Sequence, residues 1–143
     1  MKTLKVDRRF CVAPMMNWTD RFCRYFLRLI SKHCVLYTEM VSTGAIIYGN
    51  HHRHLEGHDE ETPVALQLGG TVPAELAKAC KISKDYHYSE INLNCGCPSD
   101  RVQNAGFGAV MMLDAATTSD CVSAMQDAID VPVTVKHRIG IDE

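Results

Sequence analysis

Ile91-Asn92-Leu93-Asn94-Cys95-Gly96-Cys97-Pro98-Ser99 decides how the rest of the 143-residue chain is read. It opens as a short alternating apolar run and breaks at Gly96 and Pro98. A buried strand ends this way when its last residues face a pocket rather than continue a sheet. Two thiols, an amide and an exposed turn meet at its C-terminal tip. In α/β proteins ligands bind at that end of the strands, where loops carry chemistry and strands carry stability. Asn94 and Cys97 are therefore the first candidate site residues.

Working outward, apolar runs recur at Arg9–Pro14, Cys34–Met40, Pro63–Gly70 and Val131–His137, giving with the focal stretch five expected strands. Helical spacing fills the gaps. Thr19 or Asn17 is the expected N-cap of a first helix whose apolar residues Phe22, Tyr25, Phe26, Leu29 and Ile30 recur on one face, with Arg21, Arg24 and Arg28 elsewhere on its surface. Thr71 is the expected cap of a second helix, with Pro73 in its first turn and Leu76, Ala79 and Cys80 inward. A third runs from about Thr118 to Ile129, and part of Gly44–Tyr48 is expected to be helical. Alternating strands and helices with near-continuous apolar strands mean a parallel sheet covered by helices. A closed (β/α)8 TIM barrel takes ~250 residues, roughly 31 per unit, so the chain holds about four and a half units. The expected fold is an incomplete barrel of about five parallel strands. An open doubly wound sheet fits the length better but predicts a glycine fingerprint after the first strand, and Ala13-Pro14-Met15-Met16 lacks one.

Composition narrows the classes. The chain is 46% hydrophobic and 22% charged with a formal net charge of -2, as expected for one globular domain rather than a disordered segment. No apolar run approaches the ~20 residues that span a bilayer, so no membrane partner is expected. Met1–Arg9 has no hydrophobic core of a secretory signal. Seven cysteines, an odd number, suit reduced thiols and a cytoplasmic location. The near-neutral charge proposes no nucleic acid by itself.

Five motifs in order carry a resemblance: Ala13–Asp20, Thr38-Glu39-Met40, Leu66–Gly70, Asn92–Gln103 and Val135–Gly140. Together they resemble the N-terminal half of the tRNA-dihydrouridine synthases, closest to the A subfamily. The resemblance makes residues 1–143 the N-terminal part of an FMN-binding TIM-barrel catalytic domain, without its later strands and C-terminal helical RNA-binding domain. It implies NADPH-driven reduction of D-loop uridines in tRNA, hydride passing from FMN to C6 and a proton from Cys97 to C5. By the same match Asn94 holds the uracil and Arg101 faces tRNA. Pro14, Met15, Met16, Gln67 and Lys136 face the FMN. An amide suits a pyrimidine edge because it both donates and accepts. A polar Gln67 inside an apolar run demands a partner, and Lys136 would stabilise an anionic reduced flavin.

Departures and alternatives stand beside this. Ala105-Gly106 is expected to loosen the loop after Cys97. Cys95 and Cys97 share one side of an ideal strand, which leaves a strained disulfide or a metal open, but no second pair completes a metal site and none is assigned. His51, His52, His54 and His58 read as a solvated connection. The family's downstream histidine and phosphate-binding loops lie outside the chain, so it is expected to bind FMN poorly alone, to be inactive and to expose an open sheet edge. A complementing C-terminal half is a candidate partner. The alternatives are an inactive half-barrel, or an FMN barrel oxidoreductase acting on a free pyrimidine.

Overall fold

A computed structural model describes residues 7–141. The chain runs β1 (Cys11–Val12), α1 (Arg21–Ile30), β2 (Val35–Ser42), α2 (Thr43–Tyr48), α3 (His51–Leu55), β3 (Val64–Gly69), α4 (Pro73–Ser83), β4 (Glu90–Cys95), α5 (Asp100–Asn104), α6 (Ala115–Ala128) and β5 (Val133–His137). The five strands pair in parallel in the order β1-β2-β3-β4-β5. Strictly consecutive order separates a barrel from a doubly wound sheet, whose order reverses at a switch point. The fold is a half-barrel.

One face of the sheet is apolar. Leu36, Leu66, Leu68, Ile91 and Leu93 are wholly buried with Ile46 of α2, Leu76, Ala79 and Cys80 of α4, and Cys121 and Met125 of α6. Each large side chain buried there contributes ~1.5–3 kcal/mol. Pro73 opens α4 at a position where its missing N–H costs nothing. The expected cap Thr71 is not used: Val72 takes that place, with no side-chain bond. Asp114 caps α6 by accepting from Thr117 N–H at 2.9 Å, three residues earlier than the expected start.

The first helix reverses the expectation drawn from its periodicity. Asp20, rather than Thr19 or Asn17, is its N-cap, accepting from Cys23 N–H at 2.8 Å. Arg24 and Arg28 are 5% and 6% exposed, whereas Phe22, Phe26, Leu29 and Ile30 all face outward, Leu29 at 70%. The reason is the surface beneath. The Glu61 carboxylate is buried and pairs with Arg24. Arg28 donates to four backbone carbonyls: Glu61 at 2.8 Å, and Ser31, Cys34 and Pro63 at 2.9 Å each. A planar guanidinium with five donors suits such a cluster of acceptors.

The His-rich connection also departs from a plain loop. His51–Leu55 forms α3, capped by Asn50, and Tyr88 Oη donates to Leu55 O at 2.7 Å. His52 faces Glu56 and Tyr86, while His58 packs on Tyr25, so the histidines are spread over different partners.

Candidate functional site

β4 carries two faces with period two. Ile91, Leu93 and Cys95 point into the helix-covered core, and Glu90, Asn92 and Asn94 point the other way, into the interior of the half-barrel. All six are buried, which is why the run looks continuously apolar in burial while alternating in chemistry.

The interior residues form one connected network. Asn92 Nδ2 donates to Thr134 Oγ1 at 2.8 Å, Gln67 Nε2 donates to Asn92 Oδ1 at 2.8 Å, and Asn94 Nδ2 donates to Gln67 Oε1 at 2.9 Å. Asn94 Oδ1 then accepts from the backbone N–H groups of Gly96 at 3.1 Å and Cys97 at 3.0 Å. Asn94 is thus the strand-end cap that shapes the turn presenting Cys97. Gln67 has the partners its burial demands. At the lower end Glu90 Oε1 accepts from Thr134 and, at 3.1 Å, from Tyr37 Oη, while Oε2 is ion-paired with Arg8.

Cys97 stands beyond the end of β4, half-buried, with its Sγ 3.4 Å from Ser99 Oγ. Its carbonyl accepts from Ala109 N–H at 2.9 Å. Gly108 makes that approach possible: it has φ +77°, and a Cβ there would lie 2.7 Å from the Cys97 carbonyl oxygen and 2.6 Å from Val102. The loop is not loosened by Ala105-Gly106. Gly106 adopts φ +81° and donates to Gln103 O at 2.9 Å, closing α5 with a left-handed residue.

Cys95 is separated from Cys97. It lies in the apolar core with Sγ 4.0 Å from Met111 Sδ, and burial pushes its thiol up to about 11. Both cysteines are free, because the strand ends at Cys95 and the turn carries Cys97 away from the face that ideal alternation assigns it. The disulfide and metal readings of the pair have no geometric basis.

A cavity of about 310 Å³ opens on the interior face, lined by Arg8, Pro14, Tyr37, Asn92, Thr134 and Lys136 among others. Lys136 is exposed at the end of β5 and sits in register with Asn94. The structure therefore brings Pro14 and Lys136 to one cavity, and links Gln67 through Asn94 to Cys97. Gln67 itself is buried behind the cavity rather than lining it. Met15 and Met16 are exposed on the β1–α1 loop and Arg101 is exposed on α5, none of them on this cavity. Met15 is pinned by buried Thr19, whose Oγ1 accepts from Met15 N–H at 3.0 Å.

Several residues escaped the sequence reading. Thr38 and Glu39, quoted there within a motif but given no role, are two. β2 slips against β3 between Tyr37 and Met40, and Gln67 N–H is taken by Thr38 Oγ1 at 3.0 Å. The slip turns the Glu39 carboxylate toward Asn17, whose backbone N–H it accepts and whose φ is +63°. Glu90, Asn92 and Thr134 are others. The signal for Glu90 and Asn92 was the polar stripe at positions 90, 92 and 94, while Thr134 is brought to it only by the register of β5.

The match to known proteins covers this whole assembly. Residues 11–143 match the family model described as dihydrouridine synthase. The chain belongs to the dihydrouridine synthase family. It is 58% identical over 136 residues to a tRNA-dihydrouridine(20/20a) synthase of Pseudomonas putida, and 61% identical over 135 residues to one of Escherichia coli K12. These alignments take in 95% and 94% of the chain but 40% and 39% of the relatives, so it spans about two-fifths of their length. The resemblance read from the five motifs is borne out, and the half-barrel is part of a (β/α)8 barrel of this family. Among the described residues no helix is long and apolar enough to cross a membrane.

Proposed function

We propose that the chain supplies the catalytic thiol and one wall of the cofactor site of a tRNA-dihydrouridine synthase, reducing D-loop uridines with FMN and NADPH. The observation that carries this reading is the turn after β4: Asn94 Oδ1 grips two successive backbone N–H groups and leaves the Cys97 thiol at the strand's tip. The relatives' name supports the substrate class.

The residues present fit a flavin. Asn92 lines the cavity and keeps one amide N–H beyond the network, and Lys136 adds an ammonium, so the wall offers donors to a ring system rich in carbonyl oxygens. Pro14 and Lys136 would hold it from the cavity wall, with Met15 and Met16 on the adjoining loop and Gln67 bracing Asn92 from behind. Bound and reduced there, the flavin would supply hydride to uracil C6.

The chain's own residues do the rest. Cys97 gives its thiol proton to C5 and must be protonated to do so. Ser99 Oγ, next to that thiol and exposed, is its route for regaining a proton from water. Asn94 offers its remaining N–H to a uracil carbonyl. Lys136 places positive charge where negative charge develops. Arg101, exposed on α5, faces the RNA, and the target base leaves its stack to reach the thiol.

The rest of the barrel covers two surfaces that this chain leaves open: the outward apolar stripe of α1, and a groove of about 700 Å³ between α6 and β5 lined by Met111, Val122 and Val135. The test joins the chain with the remaining segment of the Pseudomonas putida relative. Flavin absorbance should then shift on titration with FMN, and unmodified tRNA should be reduced with NADPH. Cys97→Ala should keep FMN binding and lose reduction. Absence of FMN binding in both the chain and the joined form would sink the flavoenzyme reading, and reduction of free uracil in preference to tRNA would redirect it to pyrimidine metabolism.

A further inference from the structure

The polar stripe on β4 extends further than a thiol and its cap require. A carboxylate only accepts hydrogen bonds and a backbone N–H only donates. These two kinds of group stand at opposite ends of a single line of side chains. From the lower end, the Glu90 carboxylate makes the Thr134 hydroxyl donate. Thr134 Oγ1 must then accept, so Asn92 presents Nδ2 to it and turns Oδ1 toward Gln67. Gln67 answers with Nε2 and turns Oε1 toward Asn94, which answers with Nδ2. From the upper end, the Gly96 and Cys97 N–H groups require Asn94 to present Oδ1, which imposes the same orientation in reverse. Neither end tolerates a flipped amide.

The lower end is anchored firmly. Tyr37 Oη donates to the same Glu90 oxygen that Thr134 uses, and Arg8 pairs with the other. Glu90, Asn92 and Gln67 are buried, where hydrogen bonds in series polarise one another and a broken link leaves an unpaired polar group.

We propose that Glu90, Thr134 and Asn92 are positioning residues for Cys97: they fix, through Gln67 and Asn94, the direction of the amide line that holds the backbone under the thiol. This rests on the reading of Cys97 as the proton donor. The test itself reads the geometry of the 143-residue chain and needs no turnover, so its failure and the failure of that reading are distinguishable.

Thr134→Val keeps the branched shape and removes both the acceptor of Asn92 and the donor to Glu90. Alkylation of Cys97 by iodoacetamide, resolved by site with mass spectrometry, should then accelerate about fivefold, the loss of roughly one hydrogen bond from the turn. Cys23, on α1, should keep its rate, and Thr134→Ser should restore that of Cys97. An unchanged Cys97 rate in a folded Thr134→Val chain overturns the proposal. Should that variant not fold, the unsubstituted chain decides. Nitrogen-15 spectra of the Asn92 and Gln67 side-chain amides should each show a proton whose exchange is slowed by its hydrogen bond, and fast exchange of both protons at either residue overturns it.

Discussion

Helices α1 and α4 are both two-faced and both sit beside the same sheet, yet they dock with opposite faces. α4 buries Leu76, Ala79 and Cys80 against the strands. α1 buries Arg24 and Arg28 and sends Phe22, Phe26, Leu29 and Ile30 outward, with only Leu27 of its apolar side chains turned to the core. Period alone identifies a face; it does not say which face is inside. What decides is the surface offered. α4 packs its apolar face into the core, whereas α1 rests by the start of β2 and the Asp59–Glu61 turn, where the available partners are a buried carboxylate and backbone carbonyls.

The comparison is easiest to break at its charged seat. Glu61→Ala removes the partner of Arg24 and should cost about 3–5 kcal/mol, the scale for stranding a buried charge. Leu76→Ala under α4 should cost about 2–5 kcal/mol, as transfer plus cavity. Urea unfolding midpoints of the two variants measure this directly. If Glu61→Ala were within experimental error of the parent, α1 would not be held by its arginines.

A pH series probes groups on both faces of the sheet. Burial, reinforced by the Glu90 carboxylate, pushes the Tyr37 hydroxyl up to about 12, against an ordinary value near 10. The neutral phenol is the form the fold prefers. Its contribution is complete below pH ~10 and is lost as pH rises through about 12. Cys95, pushed up to about 11, behaves alike from pH ~9 upward. Urea midpoints should therefore hold steady to pH ~9 and fall above it, and Tyr37→Phe should blunt the later part of that fall.

The smallest expected effect on stability is on the outward stripe. Phe26→Ser should shift stability by only about ±0.5 kcal/mol, because the ring is already in water. Its self-association, followed by light scattering, should fall clearly. A destabilisation on the scale of Leu76→Ala would mean that the stripe is packed within the chain after all.

How far the fold could be read follows from the same contrast. Consecutive strands alternating with helices were legible because each strand segment is rich in Leu, Ile, Val and other apolar residues bounded by turn signals. The focal turn was legible because Gly96 and Pro98 cannot continue a strand. Gln67 announced that it needed a partner, since an amide in an apolar run is costly. Its partners Asn92 and Asn94 were not legible, because they lie on a neighbouring strand and only register brings them together. The docking of α1 was misread for a related reason: an arginine inside requires a carboxylate and carbonyls that lie more than 30 residues away. Cys95 and Cys97 were placed on one side by ideal alternation, which ends with the strand at Cys95.

The slip in β2 reaches further than its own ladder. Because Glu39 turns there to hold Asn17, the loop after β1 is moored to the longest strand as well as to the two-residue strand that precedes it. Pro14, Met15 and Met16 are thus held between β1 at one end and an anchor on β2 at the other. Transplanting this loop into another barrel would require the irregular strand to be carried along as its foundation.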